Sequence, residues 1–301
     1  MLQGKFDGRN DGVAQGAIVD TQYGDWYAIM FQDHGAVGRI PTIQPVTWVE
    51  DWPVMGDNTV PMKEVTVNLT AEGEDYVWAN DEFDSDKLAL VWQWNHKPMN
   101  EAWSLTERPG WMRLHAASVA QSVVEARNTL TQRSVGPQCI SEVLLDASGL
   151  QAGDRAGLCA FQSNNCSVGV EVAEDGTKSL TIRENKRGTR MVPGQKPQPG
   201  RRPMMERYET NDVVYSEPLK SEKVWLRLDF VFTPAEGSLR EADTVTASWS
   251  YDGENWETTD YSLKISFTLD FFTGYRPALF CYPTTQTGGY ADFDYFHQEV
   301  Y

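Results

Sequence analysis

The chain has 301 residues, of which 41% are hydrophobic, enough to bury the core of one large or two ordinary domains, so disorder is not its default state. With 26 Lys and Arg against 43 Asp and Glu, the formal net charge is −17, which sets aside a nucleic-acid backbone or an anionic membrane as partner for most of the surface. A neutral polysaccharide stays compatible. No apolar run approaches the ~20 residues of a membrane span, and the opening MLQGKFDGRNDG lacks the regions of a signal peptide, so the cellular location stays open.

Residues 15–56 alternate short apolar runs (AIVD, WYAIMFQ, RIPTI) with Tyr-Gly-Asp and His-Gly turn chemistry, which predicts consecutive antiparallel strands. These define a first unit over residues 1–60. A linker is expected over 61–84, with one further strand at Val65–Leu69. Residues 85–301 read almost wholly as short strands at sandwich-like spacing: SEVLLDASG, GLCAFQ, SVGVEVAEDG, KSLTIREN, KVWLRLDFVF, TVTASWS, FTLDFFTG, RPALFCY and YADFDYF. Ala117–Arg127 suits a short helix or a strand, and Asp252-Gly253 suits a type I′ hairpin. The basic, Pro- and Gly-rich stretch 186–207 reads as a solvated loop, or as a grip on a uronic-acid-bearing polymer or an acidic neighbour. Cys139, Cys159, Cys166 and Cys281 have no metal-like spacing and read as buried thiols, with a Cys159–Cys166 bridge as the alternative.

The segment Leu90–Leu114 holds four of the 11 tryptophans, interleaved with polar residues and turns. Trp103 and Trp111 are candidate stacking platforms for a sugar ring, with Arg108 among the side chains able to bond its hydroxyls. The competing reading is a core strand and corner loop, with Trp92 and Trp94 facing inward. Asp81, with Asp292 and Asp294 of YADFDYF, could supply the oxygen shell of a structural Ca²⁺ where the first and last strands meet, or Asp292 and Asp294 simply mark the polar face of an edge strand. The acids Glu101, Glu107, Glu142, Asp146, Glu171, Asp229 and Asp270 form no catalytic cluster in sequence, and no cofactor is called for by the chemistry.

Several motifs occur in the order found in one known family. WQWNH at 92–96, AWSL at 102–105, ERPG at 107–110, ARNTLTQRSVGP at 126–137, GDRAGL at 153–158 and GGYADFDYF at 288–296 resemble the C-terminal sandwich of glycoside hydrolase family 43 β-xylosidases and arabinofuranosidases. Upstream, residues 15–56 resemble the closing part of that family's five-bladed propeller. The resemblance implies an all-β protein: a concanavalin A-like two-sheet β-sandwich (jelly roll) over 85–301, preceded by a partial β-propeller blade, the last one.

The implied activity is xylan-directed glycoside hydrolysis, with xylan or xylo-oligosaccharide as partner and the sandwich shaping or binding the substrate. Inverting hydrolysis needs a general acid and a general base ~6.5–9.5 Å apart. The family's catalytic Asp, Asp and Glu are implied to lie in blades before the matched region, so no catalytic residue is assigned here. Arg39 matches a substrate-contacting arginine, and Gln32, Asp33 and His34 would line the same wall, although Arg39 can equally pair with Asp33 across a hairpin. Ala14 stands where the family carries an axial histidine, often beside a metal. The alternative function is a non-catalytic carbohydrate-binding module or a truncated, inactive fragment. A lone blade has two apolar faces to cover, which predicts docking on the sandwich or homo-oligomer formation through a free strand edge.

Overall fold

A computed structural model describes residues 2–3, 12–70, 77–192, 204–232 and 243–301. Four strands form an N-terminal antiparallel meander: β1 (Ala14–Asp20), β2 (Trp26–Asp33), β3 (Arg39–Val49) and β4 (Trp52–Met55). The remainder comprises β5 (Gln93–Trp94), β6 (Trp103–Ser104), β7 (Met112–His115), β8 (Leu130–Thr131), β9 (Gln138–Asp146), β10 (Asp154–Phe161), β11 (Asn165–Val172), β12 (Lys178–Met191), β13 (Met205–Pro218), β14 (Lys223–Val231), β15 (Asp243–Ser250), β16 (Glu257–Ile265), β17 (Arg276–Pro283) and β18 (Tyr290–Val300). They build two seven-stranded sheets, ordered β13-β12-β11-β10-β17-β8-β5 and β16-β15-β14-β9-β18-β7-β6. The fold is all-β, as expected, a concanavalin A-like sandwich behind one blade-like sheet. Helical structure among the described residues amounts to two single 3₁₀ turns, Gly35–Val37 and Asn100–Ala102.

Alternation makes the core. In β14, Val224, Leu226, Leu228 and Phe230 are buried while Trp225, Arg227 and Asp229 between them are only partly covered, so one face of the second sheet meets the first. From the first sheet Ala156, Leu158, Val168, Val170, Leu180 and Ile182 complete the same core. β10 and β17 are buried on both faces along most of their length, because Ala120, Val123, Val124 and Ala126 lie against Cys159, Phe280 and Tyr282 on the outer side.

The N-terminal meander is docked, not isolated. Ala36 donates its N–H to Asp243 Oδ2 at 2.9 Å and accepts from Tyr275 N at 2.8 Å. Gly38 and Gly274 approach so closely that a Cβ on either would strike backbone of the other loop. Segment 62–68 folds back on this meander, where the fully buried Gln44 holds both backbone groups of Met62. Further on, Gln132 clasps both backbone groups of Ala79, Asp81 pairs with Phe296 and Phe83 is buried, so sandwich packing already begins inside the segment expected as linker.

Several local expectations are corrected. Val65–Leu69 and the FTLDFFTG segment are not strands. Ala117–Arg127 is neither helix nor strand, because its carbonyls are taken by side chains: Val124 O by Asn95 and His96, Ala126 O by Thr129. The Asp252-Gly253 connection is a longer loop in which Asp252 accepts from Ser250, Glu254 and Asn255, and only Gly253 has positive φ, at 78°. The basic stretch is flanked by paired strands, since Arg187–Glu209 (3.1 Å) and Arg190–Glu206 (2.8 Å) tie β12 to β13. Residues 193–203 of that stretch lie outside the described residues. Cys159 faces Ser167 across the ladder while Cys166 faces Ala160, so the two thiols project from opposite sides of the sheet and cannot bridge.

Candidate functional site

The β2–β3 hairpin ends on the face of the meander that meets the sandwich. Asp33 and Arg39 are register partners there, and Arg39 Nε donates to Asp33 Oδ1 at 3.1 Å, so the cross-hairpin pairing is present. The same guanidinium lies between two rings, 4.2 Å from the Phe31 centroid and 4.1 Å from that of Phe272, with Phe267 at 5.9 Å. One cation therefore joins both halves of the molecule. Nε is committed to Asp33, and neither terminal nitrogen has a hydrogen bond among the described residues, so a planar fork of donors remains.

Phe272 is held with φ at 56°, a left-handed conformation that costs a side-chain-bearing residue ~1–3 kcal/mol, and its side chain is half exposed. That strain is sustained where the ring covers Arg39. Gln32 is buried beneath, paired with Ile40, and His34 opens the single turn Gly35–Val37, its N–H bonded to Gly38 O at 2.8 Å. Gln32, Asp33, His34 and Arg39 thus come together. Phe31, Phe267 and Phe272 were not singled out in the sequence, where the aromatic FTLDFF segment before Gly274 reads as another strand.

The tryptophan segment lies elsewhere. Arg108 and Trp111 meet the Asp146 end of β9, whereas the meander approaches the Gln138 end; nine residues at ~3.4 Å separate the two by about 27 Å. Trp92 is buried, between Phe83 (5.8 Å) and Phe296 (5.1 Å), with its N–H on Asp81 Oδ2 at 2.7 Å. Trp94 and Trp103 stack at 5.4 Å and pack on the core. The Trp111 ring is covered on one face by Arg108, 3.5 Å from its centroid. Of the four, Trp94, Trp103 and Trp111 keep partly open surface.

Several of the acids are engaged as hydrogen-bond acceptors, most of them by arginine. Asp146 and Asp292 share Arg108 at 2.8 and 2.9 Å, and Asp292 also takes two bonds from Arg113, at 2.7 and 2.8 Å. Glu142 holds Arg227 and the Tyr295 hydroxyl, Glu171 holds Arg183, and Asp229 accepts from Gln138. Of the residues considered for calcium, Asp81 accepts from the Trp92 indole and the Phe83 N–H, and Asp292 from two guanidinium groups. Asp294 is half-buried, and burial pushes its pKa up against nearby Lys223 and Arg108. Among the described residues no group of three or more His, Cys, Asp or Glu side chains is placed to hold a metal, and Ala14 has no donor atom for an axial one.

By architecture the protein is an all-β molecule, a concanavalin A-like sandwich with a four-stranded blade-like sheet docked on one end. A family model described as "Beta xylosidase C-terminal Concanavalin A-like domain" matches residues 80–299. The chain belongs to glycoside hydrolase family 43, as a C-terminal region made of a partial propeller blade and its sandwich. It is similar to a β-xylosidase of Formosa agariphila, 27% identical over 318 residues that cover 95% of this chain and 48% of that protein. A bifunctional GH43-CE protein of Bacteroides eggerthii aligns in structure with a TM-score of 0.78 and 38% identity, covering 96% of this chain and 34% of the other. A family 43 hydrolase engineered to show both endo-xylanase and exo-arabinofuranosidase activity aligns with a TM-score of 0.81 and 27% identity, covering 100% and 56%. The chain therefore spans about half or less of the length of these relatives. Among the described residues no helix is long and apolar enough to cross a membrane.

Proposed function

We propose that this chain forms a substrate-facing wall of a xylan-directed glycoside hydrolase and binds xylan-type glycan without itself performing the proton transfers. The carrying observation is Arg39, clamped between Phe31 and Phe272 with its terminal nitrogens uncommitted. A fork of this kind bonds two neighbouring sugar hydroxyls, and the flanking rings offer apolar faces to a pyranose. The acids of the sandwich support the non-catalytic half of the reading. Asp146 accepts from Arg108, Glu142 from Arg227 and the Tyr295 hydroxyl, and Glu171 from Arg183, so these three strand acids already serve as hydrogen-bond acceptors within the sandwich.

The test is the chain assayed alone. Aryl β-xyloside should release no product above background, while xylobiose should give measurable binding heat in isothermal titration calorimetry. Losing two charge-assisted bonds in Arg39→Ala, at ~1.5–3 kcal/mol each, should weaken binding by at least tenfold. Turnover that survives repurification, or xylobiose affinity unchanged in Arg39→Ala, refutes the proposal.

A further inference from the structure

The outer face of the first sandwich sheet carries a second polar depression that the Arg39 wall does not use. Strands β10 to β13 present Arg155, Glu171, Ser179 and Thr181 on that face, because the alternate residues Ala156, Val170, Leu180 and Ile182 point into the core. The loop of residues 117–127 covers the neighbouring part of the face, over Cys159, Phe280 and Tyr282, and its Gln121 reaches Thr284 at the edge of this group.

One residue shows how strongly the sheet is curved here. Gln121 donates through Nε2 to Thr284 O at 3.3 Å, and its own carbonyl accepts from Asn211 Nδ2 at 2.7 Å. Thr284 follows β17 and Asn211 lies in β13, four strands away. Their positions along the ladders differ by eight residues, since Asn211 aligns through Asn185 and Asn165 with the Arg276 end of β17. In a flat sheet, spacings of ~4.8 Å across and ~3.3 Å along would hold these two points about 30 Å apart. A single glutamine bridges them instead, so twist has folded two diagonal corners over the outer face into a trough.

The trough encloses about 290 Å³, within reach of the size of small-ligand sites. Its lining is rich in hydroxyl groups. Ser179, Ser216 and Thr285 have no hydrogen-bond partner among the described residues, while Thr181 bonds Glu171. Charge is balanced on the spot: Glu171 is held by Arg183 and Arg155, and Glu174 stands at the rim. An apolar occupant would strand the hydroxyls, and an anion would meet two carboxylates. An uncharged polyol meets neither penalty.

We propose that this trough is a second glycan-binding site, taking an unsubstituted xylo-oligosaccharide chain by its hydroxyls. The sugar class rests on the xylan reading above, whereas the location does not. The site is separate from Arg39: Tyr275, bonded to Ala36, lies just before the eight-residue β17 and Thr284 just after it, about 30 Å away along the strand. Tyr282 is almost wholly buried, so no aromatic platform is open to a sugar in the trough. Binding by hydroxyls alone is then weak, with Kd of order ~1 mM.

The test is an amide-resolved NMR titration of the full chain with xylohexaose. Shifts should appear at Ser179, Ser216 and Thr285, vanish in Ser216→Trp, which fills the trough, and weaken several-fold in Thr285→Val. Arg39→Ala should leave them intact. Shifts confined to the surroundings of Arg39 and Phe272 would overturn the trough while leaving the wall standing. Unchanged affinity in Ser216→Trp would overturn it too. A requirement for glucuronic acid substituents, with binding lost on raising salt, would overturn the neutral ligand class.

Discussion

Replacing Trp92 by alanine should loosen the segment around Asp81 and Phe83 from the last strand of the sandwich. The indole is 8% exposed, packs against Phe83 and Phe296, and donates to Asp81, which itself pairs with Phe296 through backbone bonds of 2.9 and 2.8 Å. Truncating a buried tryptophan costs ~3–5 kcal/mol, of which the two ring pairs account for ~0.5–1.5 kcal/mol each. Trp92→Phe keeps most of the ring packing and removes the N–H, leaving Asp81 Oδ2 without its donor, a loss of ~1.5–3 kcal/mol. Trp111→Ala removes a ring stacked on Arg108 near the surface, an interaction worth ~0.5–1 kcal/mol. Urea unfolding followed by far-UV circular dichroism, which does not depend on the indole removed, should rank Trp92→Ala below Trp92→Phe and both below Trp111→Ala. A Trp92→Ala cost under ~1 kcal/mol, the level of an ordinary surface change, would refute the packing argument.

Two further outcomes follow from the arginine pair. Burial pushes the Asp146 carboxyl up, but hydrogen bonds from Ser148 and Arg108 outweigh it and hold the pKa below its ordinary value. A folded pKa below the unfolded one contributes stability that is present above ~pH 4 and lost as pH falls through the folded value. Arg108→Met should therefore lower the urea midpoint at pH 7 by an amount that shrinks as pH falls below ~4, and a pH-independent gap would refute that linkage. Adding calcium or EDTA should leave the melting temperature unchanged, because Arg108 and Arg113 already satisfy both oxygens of Asp292; a chelator-sensitive melt would show a donor set that this geometry lacks.

The period-two burial of runs such as KVWLRLDFV and YADFDYF was legible before any coordinates, because a residue's side of a strand follows from its position alone. So was the order of motifs that assigns the family, and the Asp33–Arg39 pairing, since a short hairpin brings sequence neighbours together. What sequence reading missed around the candidate site is long-range. Phe272 reaches Arg39 across more than 230 residues, and its role depends on a loop that looks like one more strand until Gly38 and Gly274 interlock. The tryptophans, grouped within 25 residues, part company because their backbone crosses between both sheets, which sends Trp92 into the core and leaves Trp111 beneath an arginine. Of the acids that looked like candidates for catalysis or calcium, Asp146, Asp292 and Glu142 found arginines distant in sequence, and partner choice of that kind is set by the packing of one strand beside another, which local pattern does not encode.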